Sequence, residues 1–232
     1  GCSLGLRAPE PSTPMPSEVL RETGPSGCAA VLLPGRWDRM EAFGRSGFAD
    51  ATDATGVDLG LVATEAHIGY YRREMLVPRL REDVIGPLRE RGARDVWLVG
   101  TSLGGVGSLV YWNRHADEVA GMVLIAPYLG EDEVLDEIRE AGGLQEWSPP
   151  HPVADNDFGR HIWLTLREVT GPDSDTPVIL AFGTADELAP GHRLLARELP
   201  DDRVFVGDGG HDWGTWAALW RAVLASGQVC RG

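Results

Sequence analysis

The chain has 232 residues, 43% of them hydrophobic and 24% charged, which fits one globular domain with a core large enough to fold alone. Its 35 acidic and 21 basic residues leave a formal net charge of −14, which repels phosphate backbones and argues against nucleic-acid binding. All 21 basic residues are Arg, which excludes chemistry that needs a Schiff-base, cofactor-anchoring or P-loop lysine from this chain.

The first 27 residues hold five prolines (Pro9, Pro11, Pro14, Pro16 and Pro25) and few apolar side chains. That composition predicts an extended, proline-rich tether. The Gly1-Cys2-Ser3 opening resembles the cut edge of a bacterial lipoprotein signal, which would make Cys2 a lipid anchor; the edge of a cloned fragment reads the same way. Three cysteines are present, Cys2, Cys28 and Cys230, with no zinc-site spacing. A Cys28–Cys230 disulfide would pin the chain end to the domain and imply an oxidising, extracytoplasmic compartment; the alternative is a cytoplasmic protein with free thiols.

From residue 28 strands and helices alternate. Ala29–Leu33 is a continuous apolar run ended by Pro34-Gly35, as in a strand buried on both faces. Val57–Thr64 predicts a second strand. Tyr70–Arg91 predicts a helix with Leu76, Leu80, Val84 and Leu88 on one face, broken or kinked near Pro78 and Gly86-Pro87. Asp95–Gly100 is a third strand, Leu103–His115 a helix and Gly121–Ala126 a fourth strand. Asp132–Ala141 is a helix, Pro177–Phe182 a fifth strand, Pro190–Leu199 a helix and Arg203–Val206 a sixth strand. Trp213–Ala225 closes the chain as a helix. Residues 142–176 interrupt the rhythm and form a candidate lid, with Phe158, Ile162, Leu166 and Val169 on one helical face. This order predicts an α/β domain over residues 28–232, a mostly parallel sheet of about six strands with helices on both faces. In such sheets the active crevice lies at the carboxyl ends of the strands.

Immediately after the third strand stands Gly100-Thr101-Ser102-Leu103-Gly104, a G-x-S-x-G motif in strand–turn–helix context. The glycines suit a sharp turn that exposes the Ser102 hydroxyl. A serine hydroxyl is a poor nucleophile without a base. His211, between the sixth strand and the last helix, is the candidate. The other five histidines (His67, His115, His151, His161 and His192) read as surface or lid residues. A base needs a carboxylate partner. Asp186, after the fifth strand, is the first choice. Asp132 and Glu187 follow, while Asp208 and Asp212 read as loop residues.

The order Ser102, Asp186, His211 resembles the α/β-hydrolase family, in layout over about residues 28–226 and in three short motifs. The resemblance implies an oxyanion hole from the backbone N–H groups of Leu103 and of Arg36, with Trp37 competing for the second place. The usual histidine of that loop is replaced by Pro34, and the N-terminal strand pair common in the family reads as missing or vestigial. The implied activity is that of a serine esterase acting on a small acyl substrate, an ester or thioester, with no metal or cofactor needed. An acyltransferase on the same triad and a non-catalytic surface lipoprotein of the same fold are the alternatives. Oligomeric state is not legible.

Overall fold

The computed structural model describes residues 8–150 and 152–230. Gly1, Cys2, Ser3 and His151 lie outside them, so the lipid-anchor reading of Cys2 is not addressed by the fold.

A seven-stranded sheet runs through the centre. Its strands are β1 Ser17–Arg21, β2 Cys28–Leu33, β3 Gly60–Thr64, β4 Asp95–Thr101, β5 Gly121–Ile125, β6 Val178–Gly183 and β7 Val204–Gly207. The spatial order is β1-β3-β2-β4-β5-β6-β7. All neighbours pair in parallel except β1, which runs antiparallel to β3 with Ser17 opposite Thr64 and Val19 opposite Val62. Strands β2, β3, β5 and β6 are buried at every residue, which explains their continuous apolar runs.

The sheet therefore has one strand more than expected, and that strand lies inside the segment read as a tether. Strand β1 is an edge strand with Val19 facing solvent, and its polar half and flanking prolines give it the composition of a linker. The residues before it are packed too. Met15 is buried, its N–H donates to the Asp83 carboxylate at 2.7 Å, and the Tyr70 hydroxyl bonds both the N–H and the carbonyl of Ser12 at 3.0 Å.

Helices cover both faces: α1 Glu41–Arg45, α2 Phe48–Thr55, α3 Ile68–Arg72, α4 Leu76–Arg79, α5 Gly86–Glu90, α6 Leu103–Arg114, α7 Asp132–Ala141, α8 Phe158–Val169, α9 Ala189–Ala196 and α10 Trp213–Ala225. Helices α1 and α2 carry no expectation from the sequence, being short and, in α2, rich in Ala, Asp and Thr. The helix expected over Tyr70–Arg91 is divided. It breaks at Arg73–Met75, where Glu74 takes a positive φ of 55°, and a π-helical stretch at Leu80–Ile85 joins α4 to α5. Its register change accommodates the prolines at 78 and 87.

The candidate lid is also revised. In α8 the residues Ile162, Trp163, Leu166 and Val169 are buried in the main core, and the Trp163 indole donates to the Leu129 carbonyl at 2.8 Å. Arg160 ties the helix start to α7 through Glu133 and Glu137, and pairs with Asp157, which caps α8. The apolar stripe of the insertion therefore serves packing against the body, and Phe158 alone of its four residues is exposed.

Cys28 and Cys230 form a disulfide with their Cα atoms 5.9 Å apart. It joins the first residue of β2 to the turn after α10.

Candidate active site

The carboxyl ends of β2 and β4 lie side by side, because Leu33 is the register partner of Gly100. The turn that follows β4 is tight for steric reasons. A Cβ on Gly100 would run into the Gly104 backbone, and one on Gly104 into the Leu33 carbonyl. These contacts bring the start of α6 against β2 and leave Ser102 at the apex with φ 51° and ψ −115°. That backbone region is sparsely populated for a residue with a side chain and persists where the surroundings over-determine it. Here three backbone bonds do so. Ser102 N–H donates to Ile125, and the Ser102 carbonyl accepts from Gly105 and Tyr128. The Tyr71 hydroxyl, from α3, donates to the Leu103 carbonyl at 3.1 Å and braces the same turn.

Strands β6 and β7 supply the other two groups. Gly183 pairs with Gly207, so the loops after them start together. Thr184 and Ala185 donate their N–H groups to Gly207 and Gly209, which fastens one loop to the other. His211 Nε2 lies 2.9 Å from Ser102 Oγ, and His211 Nδ1 lies 2.9 Å from Asp186 Oδ2. Since the carboxylate accepts, the proton sits on Nδ1, and Nε2 presents its lone pair to the Ser102 hydroxyl. The His211 ring rests edge-on against Trp216 with centroids 5.0 Å apart.

Asp186 is buried, and its second oxygen accepts from Leu188 N–H at 2.8 Å. Burial pushes this carboxyl up; the hydrogen bonds from His211 and Leu188 more than offset it and hold it below the ordinary carboxylate range. It is therefore ionised across the neutral range.

The competing acids stand elsewhere. Asp212 caps α10, accepting from Thr215 N–H and from the Thr215 hydroxyl at 3.0 Å each. Asp132 is exposed in the first turn of α7, and Asp208 and Glu187 are exposed loop residues.

Of the other histidines, His115 and His161 match the surface reading or lie close to it. His67 and His192 do not. His67 is buried as the cap of α3, its Nδ1 accepting from Gly69 N–H at 3.1 Å. His192 is fully buried on α9. Neither exposure is readable from a single histidine at a loop or helix position.

The loop after β2 passes close to the serine. A Cβ built on Gly35 would lie 3.5 Å from Ser102 Cβ. Arg36 follows directly, and its guanidinium stacks over the exposed Trp37 ring at 5.1 Å. Asp38 accepts from the Trp213 indole at 2.9 Å and ties this loop to α10. Leu103 is the first residue of α6, where a backbone N–H has no intrahelical acceptor. Leu103 follows Ser102 directly in the chain, and Arg36 follows the glycine that approaches Ser102, with Trp37 one residue farther along the loop.

No protein-family model matches this chain, and no curated protein matches it. Solved structures do. An S-formylglutathione hydrolase of Staphylococcus aureus is 16% identical with a TM-score of 0.56, over 95% of this chain and 99% of that one. A monoacylglycerol lipase of Paleococcus ferrophilus is 17% identical with a TM-score of 0.60, over 93% and 98%. A ferulic acid esterase is 16% identical with a TM-score of 0.59, over 94% and 98%. At these identities the likeness shows the fold, which is the α/β-hydrolase fold, shared here with serine hydrolases.

Proposed function

We propose that this protein is a serine hydrolase of the carboxylesterase type, with Ser102 as nucleophile, His211 as general base and acid, and Asp186 as the carboxylate that orients and stabilises the imidazolium. The observation that carries the reading is the unbroken hydrogen-bonded chain from Ser102 Oγ through His211 to buried Asp186, at 2.9 Å in both links. Ser102 Oγ attacks the carbonyl carbon of an ester or thioester while His211 Nε2 takes the hydroxyl proton. The oxyanion is met by the N–H groups of Leu103 and Arg36. The imidazolium then returns its proton to the leaving alkoxide or thiolate. A water molecule repeats the sequence on the acyl-enzyme, releasing the acid and regenerating Ser102.

A small acyl substrate suits a site whose candidate lid helix, α8, is packed into the body. The Cys28–Cys230 disulfide supports an extracytoplasmic location.

Labelling with a fluorophosphonate probe and p-nitrophenyl acetate turnover test the reading together. Both are expected in the wild type, and both are expected to vanish in a folded Ser102→Ala variant. A folded wild type that neither labels nor turns over would overturn it.

A further inference from the structure

A strained turn lies directly behind the nucleophile. Ala126, at the end of β5, has a φ of 47° although it carries a side chain and precedes a proline, two features that disfavour such a conformation. Its N–H donates to the Ala181 carbonyl at 2.7 Å. The next residue, Pro127, packs against Gly105 in the first turn of α6. The one after, Tyr128, donates its N–H to the Ser102 carbonyl at 3.2 Å. The Ala126–Tyr128 turn is therefore the floor on which the serine elbow stands.

His192 holds that floor from the other side. It is fully buried on α9, and its Nε2 lies 2.8 Å from the Pro127 carbonyl. A carbonyl accepts, so Nε2 carries the proton. His192 Nδ1 is buried with no hydrogen-bond partner among the described residues. A neutral ring with its proton on Nε2 is the form this site accommodates. The same helix belongs to the acid. Leu188 N–H donates to the Asp186 carboxylate, and His192 N–H donates to the Leu188 carbonyl at 3.3 Å.

Resting on the hydrolase reading, we propose that His192 is a positioning residue for the triad: its Nε2–H bond to Pro127 fixes the strained turn under Ser102 and locks it to the helix that carries the bond to Asp186. A second connection between nucleophile and acid then runs behind the triad, from Ser102 through Tyr128, Pro127, His192 and Leu188 to Asp186. Without the His192 donor the Pro127 carbonyl is buried unpaired and the turn is free to relax, which moves Ser102 Oγ away from His211 Nε2. Misplacement of this kind lowers the rate of chemistry and leaves binding of a small ester largely unaltered.

The experiment compares wild type, His192→Phe, which keeps a ring without a donor, and His192→Gln, whose side-chain N–H₂ can reach the position of Nε2. Expected for His192→Phe is a kcat on p-nitrophenyl acetate lower by about 10- to 100-fold, KM within about threefold, and fluorophosphonate labelling slowed in proportion. His192→Gln should regain most of the loss. A folded His192→Phe with kcat within twofold of wild type overturns the inference, as does a His192→Gln no better than His192→Phe. Should His192→Phe not fold, long-range ¹H–¹⁵N spectra of the wild type decide: a neutral ring protonated on Nε2 at pH 7 supports the bond, and any other form overturns it. A wild type inert to the probe would instead overturn the hydrolase reading, and the positioning role with it.

Discussion

Cys28 and Cys230 are 202 residues apart in the chain, yet their Cα atoms are 5.9 Å apart across the amino end of the sheet. The bridge closes a loop around almost the whole domain and fastens the segment after α10 to a central strand. A cross-link over such a loop restricts the unfolded chain strongly, and loss of a native bridge costs roughly 2–5 kcal/mol. Cys230→Ser is expected to lower the unfolding free energy by that amount in urea titrations and to leave p-nitrophenyl acetate turnover intact at low temperature, because the bridge lies at the opposite sheet end from Ser102. Peptide mapping without reductant should recover Cys28 and Cys230 as one species. Free thiols at both would remove the main support for an extracytoplasmic location.

Asp186→Asn should lower kcat by about 10³–10⁴-fold, because an amide can turn its N–H₂ toward His211 and stabilise the wrong tautomer. Asp132→Asn and Asp208→Asn remove exposed carboxylates and should stay within about threefold of wild type. Asp212→Asn should do the same, since Asn also caps α10. Steady-state kinetics on the four variants check this, and a large loss in Asp132→Asn would move the acid to the loop after β5.

Much of this arrangement is legible in the sequence, because the central strands are buried on both faces and announce themselves as apolar runs. The turn at Ser102 is equally legible, since Gly100 and Gly104 are required where two backbones touch. Asp186 and His211 follow from a rule of parallel sheets, that chemistry gathers after the strand ends. What escapes depends on long-range contact. Strand β1 has a half-exposed, polar composition, and only its pairing with β3 makes it a strand. The apolar stripe of α8 states that one face is covered but not by what. His192 looks like any helical histidine, and its burial against Pro127 is created by a loop 65 residues away.

Gly104→Ala tests the elbow without touching the triad. The added methyl group would meet the Leu33 carbonyl and the Pro34 backbone, neither of which can swing aside as a side chain can. The start of α6 must then move off β2, carrying the N–H of Leu103 with it. Overpacking of this kind costs about 1–3 kcal/mol. The expected outcome is a lower melting temperature together with a kcat reduced by at least about tenfold, the second because oxyanion donors work at fixed distance. Wild-type turnover in a folded Gly104→Ala would contradict the close approach.

The final prediction concerns acid stability and follows from the neutral state of His192. Burial pushes this imidazole down from its ordinary value of 6.5 to about 4, against the opposing pull of the Pro127 carbonyl and of Asp186. Arg193, and His211 in its imidazolium form, push in the same direction as burial. Between pH 6.5 and about 4 the unfolded chain therefore binds a proton that the folded protein refuses. The stabilisation is complete above pH 6.5 and is lost as the pH falls to about 4, a change of roughly 3 kcal/mol. His67, also lowered by burial, adds to the same slope, whereas Asp186 acts only below the ordinary carboxylate range, where its depressed value makes stability fall further. His192→Gln removes one of these contributions and spares the rest. Urea unfolding at pH 7 and pH 4.5 should show a smaller loss of stability in His192→Gln than in the wild type, by about 2–3 kcal/mol. Equal losses in the two proteins would mean that His192 takes up its proton in the folded state as readily as in the unfolded one, which a fully buried ring whose Nδ1 has no acceptor among the described residues does not allow.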